Sequence, residues 1–510
     1  MQTNVLEYFE ATVVRFPDQV ALVDRDQRLD FRTVQEKARS LAACLVAAND
    51  CLNQPIAVFL PKSCEAVVSL LAVLYSGNCY APVDVKSPAS RVAVLLQTLA
   101  PALVITNATF AKVLVESGWP AAQTVQIDPA SSALTPDAIE QLRPRHDRVL
   151  DTDPVYIIHT SGSTGKPKGV VISHRGVIDY IDWARATFPV SEADVIGSQA
   201  PFHFDNSTLD LYLAFSTGAT LDLIPEDLFS FPLRLLEHVD HHGISFIFWV
   251  PSIMVNAANM NVLDKVVCRR LNKILFAGEV MPNKQLNVWR RRFPQALFAN
   301  LYGPTEITVD CTYFIVDREF KDDEPLPIGY PCRNSDILIL NDQNQSCATG
   351  EKGELCVRGS SLALGYWNNP EKTAQAFVQN PLNPHYPELI YRTGDLVFRN
   401  GRGEIMFTGR KDFQIKHLGY RIELGEIEHA VLSVEGVRNC CVIYNKDKKE
   451  IALFFEADRQ LTPATIRERL TAFLPKYMLP TVFHQMDQLP RNPNGKIDRQ
   501  QLSLSVLKTE

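Results

Sequence analysis

The run His159-Thr160-Ser161-Gly162-Ser163-Thr164-Gly165-Lys166-Pro167-Lys168 follows directly on the apolar residues Val155-Tyr156-Ile157-Ile158. Hydroxyl donors, two cations and glycines that let backbone N–H groups turn inward together make a cradle for an anion, phosphate above all. A plain surface turn seldom gathers all of these. The nearest formal motif, the Walker A loop, requires Ser or Thr immediately after its lysine, because that hydroxyl ligates magnesium. Pro167 stands there instead, so the Walker reading fails and any metal ligand has to come from elsewhere in the chain.

The elements that must position this loop read as α/β layers. Apolar runs bounded by Gly or Pro occur at 56–61, 102–106, 155–159, 244–251 and 273–278, with helical patterns between them. Such runs suit buried, largely parallel strands joined by crossover helices. Residues from about 120 to 153 are rich in Pro, Asp, Ser and Ala and read as a connection into the loop. After residue 325 short β runs alternate with Gly-rich turns, which predicts a barrel-like or antiparallel piece. From about 413 the pattern is again mixed α and β. The boundary is placed at Gly409-Arg410-Lys411-Asp412, giving an N-terminal unit 1–411 and a C-terminal unit 412–510.

Length and composition exclude several classes. The 510 residues are 46% hydrophobic and 21% charged, with a net charge of −7. A chain of that size predicts two or three folded units. Its acidity argues against nucleic-acid binding. No apolar stretch is long enough to span a membrane, and the N-terminus lacks a signal-peptide core. The eleven cysteines show neither CxxC nor zinc spacing, so they read as packing residues in a reducing, cytoplasmic setting. Cys440-Cys441 lie in an apolar run and are expected to pack as small hydrophobes.

Beyond the loop, four further segments carry the argument: Asn300-Leu-Tyr-Gly-Pro-Thr-Glu306, Tyr391-Arg-Thr-Gly-Asp-Leu396, 409–428 (GRKDFQIKHLGYRIELGEIE) and Asn492-Pro-Asn-Gly-Lys-Ile-Asp-Arg499. Taken singly, each acidic or basic residue in them is an ordinary solvated loop residue. Taken together, in this order and spacing and with the loop at 159–170, they resemble the adenylate-forming superfamily of acyl-CoA synthetases, luciferases and nonribosomal peptide synthetase adenylation domains. The resemblance covers essentially the whole chain. It implies a large N-terminal domain of layered αβ subdomains with a β-barrel-like piece, and a small mobile α+β C-terminal domain.

The implied reaction is attack of a carboxylate on the α-phosphorus of ATP, giving an acyl-adenylate and pyrophosphate. Two anions must meet, so cations and Mg²⁺ matter more than a base. By resemblance, Thr160, Ser161, Gly162, Ser163, Thr164, Gly165, Lys166 and Lys168 clamp the phosphates. Tyr302, Gly303 and Thr305 line the nucleotide site, with Tyr302 over the adenine. Glu306 is the metal ligand, a hard carboxylate oxygen for a hard cation. Asp395 accepts from both ribose hydroxyls, helped by Arg410. Lys496 bridges the substrate carboxylate and the α-phosphate and acts by charge alone. Asp412 matches the hinge about which the C-terminal domain turns to present the 413–428 segment for thioester formation.

The segment Phe202-His-Phe-Asp-Asn-Ser-Thr-Leu-Asp-Leu-Tyr212 resembles the signature of amino-acid-activating members. Asp205 then pairs with the substrate α-ammonium; a ligase for fatty or aryl acids would leave it buried and unpaired. The side-chain pocket implied by the motifs comprises Asn206, Leu209, Phe248, Leu275, Ala277, Leu301, Val309 and Asp310. Its bulk favours a small side chain: glycine first, then alanine of either hand, then serine, with Asp310 open to a hydroxyl or a basic group. Size selection contributes only about 1–3 kcal/mol per methylene. The chain ends soon after Lys496 with no carrier domain, so the expectation is a free-standing ligase that loads a separate phosphopantetheinylated carrier protein. It is similar to the D-alanine–carrier-protein ligases of teichoic acid modification and the glycine–carrier-protein ligase of lipid A modification, cell-envelope changes tied to antimicrobial peptide resistance. An acyl-CoA synthetase using CoA is the competing reading.

Overall fold

The computed structural model describes residues 2–127, 142–162, 167–412, 414–446, 448–491 and 497–507. Two large sheets carry most of the chain. In the first, Val20–Asp24, Thr220–Leu223, Val195–Ser198, Phe246–Trp249, Lys273–Phe276 and Leu297–Tyr302 run parallel, in that spatial order. Antiparallel strands close its edges: Gln27–Asp30 on one side, Thr312–Ile315 and Tyr330–Pro331 on the other. The apolar runs at 244–251 and 273–278 are therefore central, buried strands, as continuous hydrophobicity requires.

The second sheet holds Thr124–Gln126, Leu103–Thr106, Pro55–Val58, Cys79–Pro82, Pro154–Thr160, Lys168–Ser173 and Gly365–Tyr366. Here the phosphate-type loop departs from a Walker context. Lys168–Ser173 returns antiparallel along Pro154–Thr160, with Thr160 opposite Lys168, so the strand before the loop is followed by a paired strand rather than by a helix. The stretch read as a bare connection supplies the edge strand Thr124–Gln126 and the short helix Arg143–His146. Buried Arg145 anchors that helix by donating from Nε to the Ser76 carbonyl at 2.8 Å.

Helices Cys64–Tyr75 and Ser207–Thr217 are buried on nearly every side, which explains their lack of a polar face. Ser63 caps the first of these by accepting from the Ala66 N–H. One core cluster runs through both helices and both sheets. A third sheet, the antiparallel half-barrel piece, pairs Ser335–Leu340, Gly353–Gly359, Leu389–Arg399 and Phe377–Gln379, with Ile405–Arg410 along Leu389–Arg399.

The smaller C-terminal part opens with the hairpin Gln414–His417/Tyr420–Glu423. Helix Leu424–Leu432 follows, then the sheet Val437–Asn445, Glu450–Ala457 and Val482–Gln485 and helix Pro463–Thr471. It has its own core around Ile422, Ile427, Val442, Leu453, Phe455 and Leu470. Cys440 and Cys441 alternate along their strand into two different clusters, and burial pushes both thiols up to about 12. They behave as small hydrophobes. No described helix is long and apolar enough to cross a membrane.

Candidate active site

A cleft of about 750 Å³ lies where the first two sheets, the Thr305 turn and the C-terminal hairpin meet. From the second sheet come Thr160 and Ser161, from the first Ala277 and Asp310, from the half-barrel Asp395 and Arg410, and from the hairpin Lys416, Gly419, Tyr420 and Arg421. Ser163, Thr164, Gly165, Lys166 and Lys496 lie outside the described residues.

Glu306 sits in the one-turn helix Thr305–Ile307 and is fully buried. Its Oε1 accepts from the Tyr366 hydroxyl at 2.9 Å and lies 3.3 Å from Lys168 Nζ; its Oε2 accepts from Arg421 Nη1 at 2.7 Å. Burial alone would raise its pKa, but the charges of Arg421 and Lys168 outweigh that and hold it far below the usual carboxylate range. Burial in turn pulls the Lys168 ammonium down, with Glu306 opposing. Opposite Lys168 on the neighbouring strand, the Thr160 hydroxyl is buried and meets no hydrogen-bond partner among the described residues. The Ser161 hydroxyl donates to the Arg421 carbonyl at 2.9 Å. Arg91 Nη1 donates to Glu426 Oε1 at 2.7 Å; burial raises the Glu426 pKa, with Arg91 and the Gly162 N–H opposing.

Asp395 and Arg410 face each other across adjacent strands, a registered pair. Arg410 Nη1 donates to Asp395 Oδ1 at 2.6 Å, while the Tyr302 hydroxyl donates to Asp395 Oδ2. The sequence reading of Tyr302 as a platform misses this hydroxyl, which occupies one of the oxygens assigned to the ribose. Arg410 also grips Asp412 through two N–H groups, at 2.6 and 2.8 Å. Gly303 lines the cleft where the chain doubles back, and a Cβ there would collide with the Val309 carbonyl.

Asp205 and Asn206 precede helix Ser207–Thr217 and open on the cleft. Burial raises the Asp205 pKa, against the Thr305 hydroxyl and the Lys416 charge, which lower it. Of the implied side-chain pocket, Asn206, Ala277 and Asp310 line the cleft. Leu209, Phe248, Leu275, Leu301 and Val309 are instead buried in the main core, so their bulk stands behind the cleft lining instead of filling it. Thr308 and Val309 take φ of 58° and 69°, a left-handed pair in which the β-branched valine is strained. That kink precedes Asp310, whose Oδ2 accepts from the Tyr180 hydroxyl at 2.6 Å. Burial pushes the Asp310 carboxyl up to about 7, with Tyr180 lowering it and Asp205 raising it further. Tyr180 carries no motif and could not be found from sequence.

Sequence reading also passed over Lys416 and Arg421, although both stand in its QIKHLGYRIE segment. The hairpin that carries them turns in two residues, Leu418 and Gly419, at φ of 53° and 82°. Two positive φ values match the right-handed twist of a two-residue hairpin; at Leu418 they cost about 1–2 kcal/mol. Gly419 donates to Glu279 Oε1 at 2.7 Å, and a Cβ would press within 3.0 Å of Val250. The docked tip therefore delivers Lys416 to the cleft, with Nζ 6.0 Å from the Tyr302 ring centre. Burial lowers the Lys416 pKa, while Asp395 and Asp205 support its charge.

A family profile described as AMP-binding enzyme matches residues 9–367, and the profile of the AMP-binding enzyme C-terminal domain matches 426–496. This chain belongs to the AMP-binding enzyme family. It is an AMP-forming adenylation domain of the nonribosomal peptide synthetase type, and the family implies use of ATP. It is 32% identical over 507 residues to tyrocidine synthase 1 of Brevibacillus parabrevis, covering 98% of the chain and 45% of that protein. It is also 32% identical over 514 residues to zwittermicin A synthase ZmaJ of Bacillus cereus, covering 99% of the chain and 95% of the relative. The chain thus spans under half of the first relative and nearly all of the second. The fold matches a crystal structure of the Vibrio cholerae adenylation domain AlmE in complex with glycyl-adenosine-5'-phosphate, at a TM-score of 0.85 and 22% identity over 100% of this chain and 98% of that one. IdnL1 matches at a TM-score of 0.82 and 27% identity, over 96% and 99%.

Proposed function

We propose that this AMP-binding enzyme adenylates a small amino acid with ATP and then passes the aminoacyl group to the phosphopantetheine thiol of a carrier protein. Asp205 carries the amino-acid reading. It is a desolvated carboxylate opening on the cleft, and an α-ammonium is the cation such a group calls for; an acid without one would leave it unpaired. The substrate carboxylate oxygen attacks the α-phosphorus, the bond to the α,β-bridging oxygen breaks, and pyrophosphate leaves with that electron pair. In the second half-reaction the carrier thiolate attacks the acyl carbon and AMP leaves.

The residues fit a magnesium–nucleotide substrate. Glu306 is a hard oxygen donor kept ionised by its neighbours, and the Thr160 hydroxyl, without a partner among the described residues, lines the adjoining cleft. When bound, Mg²⁺ supplies charge that neutralises the phosphate oxygens. Lys168 adds a second positive charge there, and Asp395 with Arg410 orients the ribose. Lys496 is assigned the bridge between the two reacting anions, and Asp412 the hinge between the units 1–411 and 412–510.

Asp310 refines the substrate. Among the described residues Tyr180 occupies its Oδ2, and the carboxyl lines the cleft near Asp205. A short side chain carrying a hydroxyl can pair with it, so serine moves ahead of glycine and alanine. ATP–pyrophosphate exchange across D- and L-amino acids tests this, followed by the mass shift of a loaded carrier. Serine is expected to respond best. A best response from fatty or aryl acids would overturn the Asp205 reading; equal turnover of large side chains would overturn the pocket.

A further inference from the structure

Outside the cleft, a different chemistry gathers at the end of helix Pro232–His241. We propose that Asp222, His238 and His242 bind one divalent transition-metal ion of the zinc class. Asp222 lies on strand Thr220–Leu223 and is buried, whereas the two histidines stand one helical turn apart and so leave the same face. His238 Nε2 is 2.8 Å from Asp222 Oδ1, and His242 Nδ1 is 2.6 Å from Oδ2. All three donor atoms fall within 4.8 Å of one another. The rings stack with centres 3.9 Å apart.

Two imidazole nitrogens and one carboxylate oxygen are a donor set that suits zinc and its neighbours and ill suits magnesium or calcium. The histidine side chains remain 12% and 15% exposed, which leaves an open side for a water as fourth ligand. The partial negative charge at a helix carboxyl end also favours a cation there. Metal–nitrogen and metal–oxygen distances near 2.0–2.2 Å in a tetrahedral site separate the donors by roughly 3.3 Å. The nitrogens now touch different oxygens of Asp222, so loading widens these separations by roughly 0.5 and 0.7 Å, a small rotation for partly solvated side chains. Each ring coordinates as the neutral tautomer with its remaining proton on the outer nitrogen, so a ring that carries two protons releases one to solvent on loading.

The test uses the full-length protein after chelator treatment, titrated with Co²⁺ and then Zn²⁺, with excess Mg²⁺ and no nucleotide. One equivalent of Co²⁺ is expected to give visible d–d bands without the near-ultraviolet charge transfer that thiolate ligands produce. Calorimetry with Zn²⁺ should give the same stoichiometry. His238→Ala and His242→Ala should each weaken binding by at least about 100-fold. Both should keep full pyrophosphate exchange, which also confirms that they fold, because the site is apart from the cleft. His241→Ala, a neighbouring exposed histidine, should bind as the parent does. Equal binding by the double variant His238→Ala/His242→Ala, no saturable binding, or thiolate bands would each overturn the proposal and leave a hydrogen-bonded clamp.

Discussion

Arg421 Nη1 lies 2.7 Å from Glu306 Oε2, a pair in which the carboxylate is fully buried and the guanidinium faces the cleft. The carboxylate proposed to hold magnesium is thus already neutralised by a residue of the C-terminal hairpin, with Tyr366 and Lys168 on its other oxygen. A divalent cation and a guanidinium cannot both take that oxygen, so hairpin docking and metal–nucleotide binding oppose each other. Arg421→Ala is expected to lower the Mg²⁺ concentration that half-saturates pyrophosphate exchange. The same variant should slow carrier loading at least ~10-fold, consistent with loss of a buried charge pair. An unchanged Mg²⁺ dependence would show that the pair does not compete with the metal.

The two half-reactions should separate by mutation. Lys496→Ala is expected to reduce exchange by about 10²–10³-fold, the usual effect of removing one group that stabilises transition-state charge. It should leave transfer from preformed adenylate to the carrier largely intact. Asp412→Pro should do the reverse, since it restricts the proposed hinge. Rapid-quench measurement of each step separately distinguishes them, and equal loss of both steps in Asp412→Pro would count against the hinge.

Asp205→Asn keeps the shape of the side chain but removes the charge that the substrate ammonium is proposed to meet. Its KM for the amino acid should rise at least ~100-fold, in line with roughly 3 kcal/mol for a broken buried pair. The KM for ATP should move little. Steady-state exchange kinetics with each substrate varied in turn provide the check.

The Asp310 carboxyl titrates near 7, raised from 3.8 by burial. A raised carboxyl pKa favours the folded state below the unfolded value, and that advantage is lost as pH climbs through the folded one. Stability should therefore decline between about pH 4 and pH 7 by a few kcal/mol at most, at 1.36 kcal/mol per unit. Asp310→Asn should abolish that part of the decline. Melting temperatures at pH 5 and pH 8 will read it: the parent should fall relative to Asp310→Asn, and parallel behaviour would remove the buried carboxyl as the cause.

Much of the architecture was legible before any coordinates. Apolar runs such as 244–251 and 273–278 can be satisfied only inside a sheet covered on both faces, and there they lie. Glycine, proline and charge in fixed order marked Thr160, Glu306, Asp395 and Asp205; Thr160, Asp395 and Asp205 line the cleft, and Glu306 is buried beside the lining residues Thr305 and Arg421. Pro167 ruled out a Walker loop by its chemistry alone. What sequence could not decide is which distant groups meet. Tyr180 is 130 residues from Asp310, and Arg421 is 115 from Glu306. No local periodicity encodes such pairs, because each depends on how whole sheets and a hairpin dock. Likewise, Phe248 and the leucines read as pocket bulk until packing placed them behind the cleft. Residue types determined the chemistry on offer; tertiary packing decided which charges face one another, because only desolvation at close range makes a pair of charges matter.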